Sequence, residues 1–354
     1  MKKLIFVTLA TATMGLVSCS SDENSSLDIT AQEEIQLFVS MESSNKHVTR
    51  AAHNLQIAPL TDYDKLGIFA YKTGLTAVDG NYGYENRTVT GATDNGTNKK
   101  LELTPAMTFP LSGGNVDVYV YAPYKNTYTD VTSMAFTVQD NQAIDANYLA
   151  SDFVYGKATA DYSGDKTAAV TMHHALTKLT FKIDDVGNGT NAAGISAINL
   201  LNVYKTVTVD MSAAFNNAAP WLTAGLNVIT NTTTETPGDI VVSNLTTDSD
   251  LYDHVRPRKA GDDDEVGNGV SVIIPAQNVL TTEGSPKVSV TIDGITKDAY
   301  LGSEGDEGLS ELIPGYEYVY TLNIKSQNVI VVAVSISPWV QDTQSRDLDF
   351  TPTP

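Results

Sequence analysis

The chain has 354 residues, too many for one small core and enough for two domains of ordinary size. Apolar residues make up 42%, which supplies a buried interior for each and excludes wholesale disorder. A formal net charge of −20 sets the surface against nucleic acid and anionic lipid, leaving a soluble, self-repelling body.

Lys2 and Lys3 precede an apolar run from Leu4 to Val17, too short to remain in a membrane as a spanning helix. The run ends in Leu16-Val17-Ser18-Cys19 and gives way to the polar SSDENSS. This pattern resembles a bacterial lipoprotein signal, in which residues 1–18 are removed and Cys19 is acylated as the new N-terminus. Cys19 is the only cysteine, so the chain has no internal disulfide. Residues 20–33 are polar and read as a flexible tether to the lipid anchor.

From Glu34 the sequence alternates. Ile35, Leu37 and Val39 point one way and Gln36, Phe38 and Ser40 the other, the two-residue period of a half-buried strand. A polar run then carries Arg50 into Ala51-Ala52. A strand tethered by a soft, cleavable linker is one that proteolysis can remove. Further strands are predicted around Leu66–Tyr71, LELTPAMTFP and NVDVYVYAPY, where Val116, Val118 and Val120 face away from Asp117, Tyr119 and Tyr121. A tyrosine-rich face of that kind is ordinarily packing. After SDFVYGKATA and MHHALTKLTFKI, strands are expected near 195–210, 239–244, 270–275, 286–293 and 316–325. The last, NVIVVAVSISPW, sets Ile330, Val332, Val334 and Ile336 on one face, with Val331 and Ala333 on the other, so it expects cover on both. Scarce amphipathic helix and abundant Thr, Val and Tyr predict an all-β protein of two antiparallel β-sandwich domains. The expected division is 19–50 for tether and removable strand, 51–170 for the first domain and 171–354 for the second.

Nothing in the chain marks an enzyme. There is no nucleophile elbow, phosphate loop or dinucleotide fingerprint. The adjacent His173 and His174 project to opposite faces of a strand and do not converge on one metal, so one of them reads as a hydrogen-bonded core residue. Asp262, Asp263, Asp264 and Glu265 lack calcium-loop spacing and are flanked by Arg256, Arg258 and Lys259. No cofactor or metal is expected.

The lipobox, the early strand ending in VTRA, SDFVYGKAT, MHHALTKLTFKI, VIIPAQ, LIPGYEYVYTLNI and the closing Pro338-Trp339 together resemble the fimbrillin-type pilins of Bacteroidetes. The resemblance implies transthyretin-like sandwiches and an outer-membrane lipoprotein precursor. It also implies an arginine-specific surface protease that cuts between Arg50 and Ala51 and discards the strand carrying Ile35, Leu37 and Val39. A C-terminal strand of the neighbouring fimbrial subunit then fills the groove, with Ile330, Val332, Val334 and Ile336 in the candidate donor. The residues leave open whether the donor is 328–339 or reaches into 340–350, and whether the subunit is stalk, tip or anchor. A competing reading is a monomeric surface lipoprotein that binds a glycan or host protein through Tyr82, Tyr84, Tyr121 and Tyr124.

Overall fold

The structure is a computed structural model that describes residues 32–41, 66–80, 82–95, 98–186, 195–212, 229–231, 236–244, 269–303, 309–325 and 328–339. The described residues from Glu33 to Trp339 belong to one compact unit. In chain order its elements are β1 (Gln36–Met41), β2 (Gly67–Lys72), β3 (Tyr84–Thr88), β4 (Gly91–Asn95), β5 (Asn98–Glu102), β6 (Val116–Ala122), β7 (Met134–Thr137), the short helix α1 (Asp145–Ala150), β8 (Val154–Ala160) and β9 (Thr167–His174). There follow β10 (Thr177–Val186), β11 (Ile195–Val203), β12 (Thr206–Val209), β13 (Ile229–Asn231), β14 (Gly238–Asn244), β15 (Val270–Ile274), β16 (Lys287–Ile292), β17 (Ile295–Tyr300), β18 (Tyr316–Lys325) and β19 (Asn328–Pro338). The all-β fold class read from composition is the one observed.

An eight-stranded sheet runs in the order β3-β2-β6-β8-β9-β1-β5-β4. β3 and β4 sit at its two edges, yet only Val89 and Thr90 separate them in sequence, so the sheet curls round its own interior. That interior is aliphatic, with Leu37, Ile68, Leu101, Val118, Val154 and Val170 in one cluster. Strand alternation sends Phe69, Tyr71, Tyr119 and Tyr121 to the opposite face. Those rings join the core of the later strands, where Leu179, Phe181, Tyr318 and Tyr320 lie. Tyr121 lies across Gly67, where a Cβ would meet the ring at 2.1 Å, so the close approach needs glycine there.

The later strands form two four-stranded sheets, β15-β10-β18-β19 and β14-β11-β16-β17, while β7 joins β12 and β13 in a three-stranded sheet. Two pairings are parallel, β1 with β9 and β10 with β18, in otherwise antiparallel sheets. In both cases an early strand is inserted between a late strand on one side and an antiparallel middle strand on the other, β5 or β15. Residue alternation is identical in parallel and antiparallel strands, which is why composition alone pointed to purely antiparallel sheets.

Candidate functional site: the seat of strand β1

β1 occupies an interior position of the large sheet. It pairs in parallel with β9 from Gln36↔Thr167 to Met41↔Met172, and antiparallel with β5 at Leu37↔Leu101, Phe38↔Lys100 and Val39↔Lys99. Ile35, Leu37, Val39 and Met41 are all buried in the aliphatic core. Met41 extends the same two-residue period by one step and so carried a readable signal. The N-terminal end is fastened by backbone bonds: Ile35 N–H donates to Met107 C=O at 2.8 Å, Gln36 N–H to Lys166 C=O at 3.0 Å, and Phe109 N–H to Glu33 C=O at 2.9 Å. Lys166 Nζ pairs with Glu33 Oε1 at 2.7 Å.

Full burial of an aliphatic side chain is worth about 1.5–3 kcal/mol, so four in a row hold β1 firmly in the sheet. Each backbone N–H or C=O on β9 or β5 left dry by the loss of β1 costs roughly 1–3 kcal/mol. The chain between Met41 and Leu66, with Arg50 and Ala51, lies outside the described residues, as does Cys19.

β19 is the edge strand of its sheet and pairs with β18 from Tyr316↔Pro338 to Lys325↔Asn328. A register shift between Thr321 and Leu322 places an extra residue, Val332, in β19. Antiparallel partners share a face, so Val329 and Val331 lie with Ile324 and Leu322, and Val334 and Ile336 with Tyr320 and Tyr318. The expectation that Ile330, Val332, Val334 and Ile336 share one face is therefore corrected: the bulge moves the first two off the face that carries the last two. Cover on both faces is also not observed, since Ile330, Val332 and Ile336 are 42%, 47% and 51% exposed.

The end of β19 is pinned. Trp339 is 3% exposed, and its ring stacks on His174 with centroids 3.8 Å apart and planes within 9°. His174 Nδ1 lies 2.8 Å from Asp152 Oδ1, with both side chains buried. Trp339 N–H donates to Gly315 C=O, and Gly315 N–H to Leu176 C=O, both at 2.7 Å. His174 is thus the hydrogen-bonded core histidine of the pair. Its partners Asp152 and Trp339 are remote in sequence, and no local pattern announces them.

The aromatic groove of the competing reading is not formed. Tyr82 and Tyr121 are buried, Tyr84 and Tyr124 partly so. Tyr82 Oη donates to Thr108 C=O at 2.8 Å, and Tyr121 packs between Phe69 and Phe153 with ring centroids 6.0 Å from each. Among the described residues no group of three or more His, Cys, Asp or Glu side chains converges as for a metal ion. No described helix is long and apolar enough to cross a membrane.

A family model described as fimbrillin-like matches residues 49–339, beginning beyond β1. No curated protein matches the chain. Similar solved structures include a candidate cell adhesion protein of Bacteroides uniformis, 18% identical with a TM-score of 0.55, covering 88% of this chain and 98% of that one. Another from Bacteroides ovatus is 12% identical with a TM-score of 0.51, covering 88% and 99%. The tip fimbrial protein Mfa3 of Porphyromonas gingivalis, with C-terminal truncation, is 10% identical with a TM-score of 0.44, covering 86% and 100%. The first two likenesses are in fold.

Proposed function

The chain belongs to the fimbrillin-like family, and we propose that it is a structural or accessory subunit of a cell-surface fimbrium that supports adhesion, not an enzyme. It is exported to the outer membrane as a lipoprotein acylated at Cys19. An arginine-specific protease cuts between Arg50 and Ala51, β1 is discarded, and a strand from the next subunit takes its seat. The subunit then passes from the membrane into an extracellular polymer. Head-to-tail strand addition is heterologous and does not close, so repetition yields a filament.

One observation carries this reading: a short strand with four buried apolar side chains fills an interior sheet position, and the segment that follows it contains Arg50. Ile330, Val332, Val334 and Ile336 repeat the two-residue spacing of Ile35, Leu37, Val39 and Met41. For β19 to donate them it must leave β18, straighten at Val332 and draw Trp339 off His174. A donor that begins beyond Trp339 leaves β19 in place, and the pinned ring favours that alternative. The chain divides into two sandwich domains whose link is Ala175–Leu176, between β9 and β10, a reading supported by the eight-stranded sheet of β1–β6, β8 and β9 lying apart from the two four-stranded sheets of later strands, with β7 alone crossing to join β12 and β13. Because β9 runs to His174, this link lies a few residues later than the 170/171 division. The glycan-binding alternative has lost its groove with the burial of Tyr82 and Tyr121.

The test is treatment of the purified precursor with an arginine-specific protease, followed by sizing and N-terminal sequencing. Ladders of subunits that begin at Ala51, and their absence in Arg50→Ala, are the expected result. Complete cutting at Arg50 with a product that stays monomeric at every concentration overturns the proposal.

A further inference from the structure

We propose that the β4–β5 hairpin is a hinged jaw of the β1 seat, fastened to the sheet by β1 and released when β1 leaves. The sheet order carries the inference. Among the described residues β5 pairs with β4 on one side and with β1 on the other, and β4 is the sheet edge. β1 is thus the link between this hairpin and the five other strands of the sheet, β3, β2, β6, β8 and β9. β9, on the opposite side of the seat, has a second partner in β8, which it pairs at Val154↔His174 and Tyr155↔His173.

Among the described residues the hairpin buries one apolar side chain, Leu101. Leu101 is buried directly opposite Leu37, and Ala92, its partner across the hairpin, is partly buried. Gly91 and Glu102 close its base. An isolated two-stranded hairpin is marginal in water. The flanks, by contrast, are buried: Val89 on one side and Met107 and Phe109 on the other are core residues, the latter two also bonded to Ile35 and Glu33 at the start of β1. Across the base, Thr90 N–H donates to Glu102 C=O at 2.8 Å, and Arg87 Nη2 donates to Thr104 C=O at 2.8 Å. The hairpin is therefore tethered at its root and, among the described residues, has no strand partner outside itself once β1 is gone.

The two walls of the seat then differ in kind. β9 is a fixed template that imposes parallel pairing, while β5 swings aside and closes antiparallel on whatever strand has docked. A strand entering such a seat need not be threaded end-on between two fixed edges. The coupling between β1 and the hairpin rests on sheet order alone; its part in accepting a donor rests on the proposed function.

The experiment uses the full, uncut chain, so it does not depend on processing or polymerisation. Phe38→Pro removes a backbone N–H within β1 and displaces the strand; Leu37→Ala loosens it more gently and keeps the test available if the proline variant does not fold. Hydrogen exchange reports the state of β1, and a lysine-specific protease reports the hairpin through Lys99 and Lys100 of β5. Cutting at Lys99 and Lys100 is expected to accelerate at least ten-fold in step with exchange of the β1 amides. Lys157 on β8 and the buried Lys178 on β10 should stay resistant. If β1 exchanges faster while Lys99 and Lys100 remain as resistant as in the parent chain, the hairpin stands by itself and the inference fails. It fails equally if Lys157 and Lys178 are cut as early as Lys99, because the whole molecule has then loosened and β9 is no fixed template.

Discussion

Asp117 shows what a single buried carboxylate contributes on β6. Burial alone would raise its pKa, but hydrogen bonds from Thr159 Oγ1 at 2.7 Å, Lys157 Nζ at 2.9 Å and Gly74 N–H at 3.3 Å outweigh it and hold the carboxyl below its ordinary range. A carboxylate with a lowered folded pKa stabilises the protein above the unfolded value, near 4, and that stability is lost as pH falls through the folded value. The melting temperature of the parent chain should therefore drop more steeply below about pH 4 than that of Asp117→Asn. Parallel acid profiles for the two would show that the carboxylate charge adds nothing. A second residue acts through shape. Removing a large buried ring costs about 3–5 kcal/mol, so Trp339→Ala should be strongly destabilising, with β18 and β19 amides exchanging faster. Trp339→Phe keeps a stacking surface on His174 and should recover most of the protection. If Ala and Phe variants exchange alike, the stack is not what holds the strand end.

Strands β1 and β19 are both apolar and alternate with the same period, yet the fold treats them oppositely. Leu37→Ala opens a cavity beneath an interior strand and should cost about 2–5 kcal/mol in chemical denaturation of the intact chain. Ile330→Ser changes an exposed side chain on an edge strand and should leave monomer stability within about 0.5 kcal/mol. If β19 is the donor, that same substitution should lower the yield of polymer, a loss invisible in the monomer. A large monomer defect in Ile330→Ser would mean that its face is covered in the free subunit.

This contrast also marks how far the sequence could be read. Period-two alternation told which side chains of Ile35–Val39 share a face, because a strand has no other way to arrange them. Whether a neighbour runs parallel is a property of the partner, so β9 beside β1 was hidden. The bulge at Val332 was hidden too: it adds one residue without disturbing the local pattern, and it reverses the parity of everything before it. Tyr121 misled for a related reason. Tyrosine alternates with valine equally well over solvent and over a second core, and here the outward face of one sheet is the inward face of the next.

At the scale of the whole molecule, charge opposes the strand exchange proposed above. The chain carries −20, while Asn328–Pro338 contains no ionisable side chain and β1's seat is lined by aliphatic groups. Bodies of like charge repel before the apolar contact can form, which lowers the encounter rate. Salt shortens the range of that repulsion, with a Debye length of about 30 Å at 0.01 M and about 10 Å at 0.1 M. The contact itself is apolar burial and backbone pairing, which salt does not weaken. Polymerisation of the Arg50-cut subunit, followed by light scattering and sizing ladders, should therefore accelerate as sodium chloride rises from about 0.01 to 0.15 M. The parent precursor, with β1 still seated, should stay monomeric across the same range. Slower assembly at higher salt would mean that subunits meet through complementary charges and not through an apolar strand, and would displace β1's seat as the joint of the fimbrium.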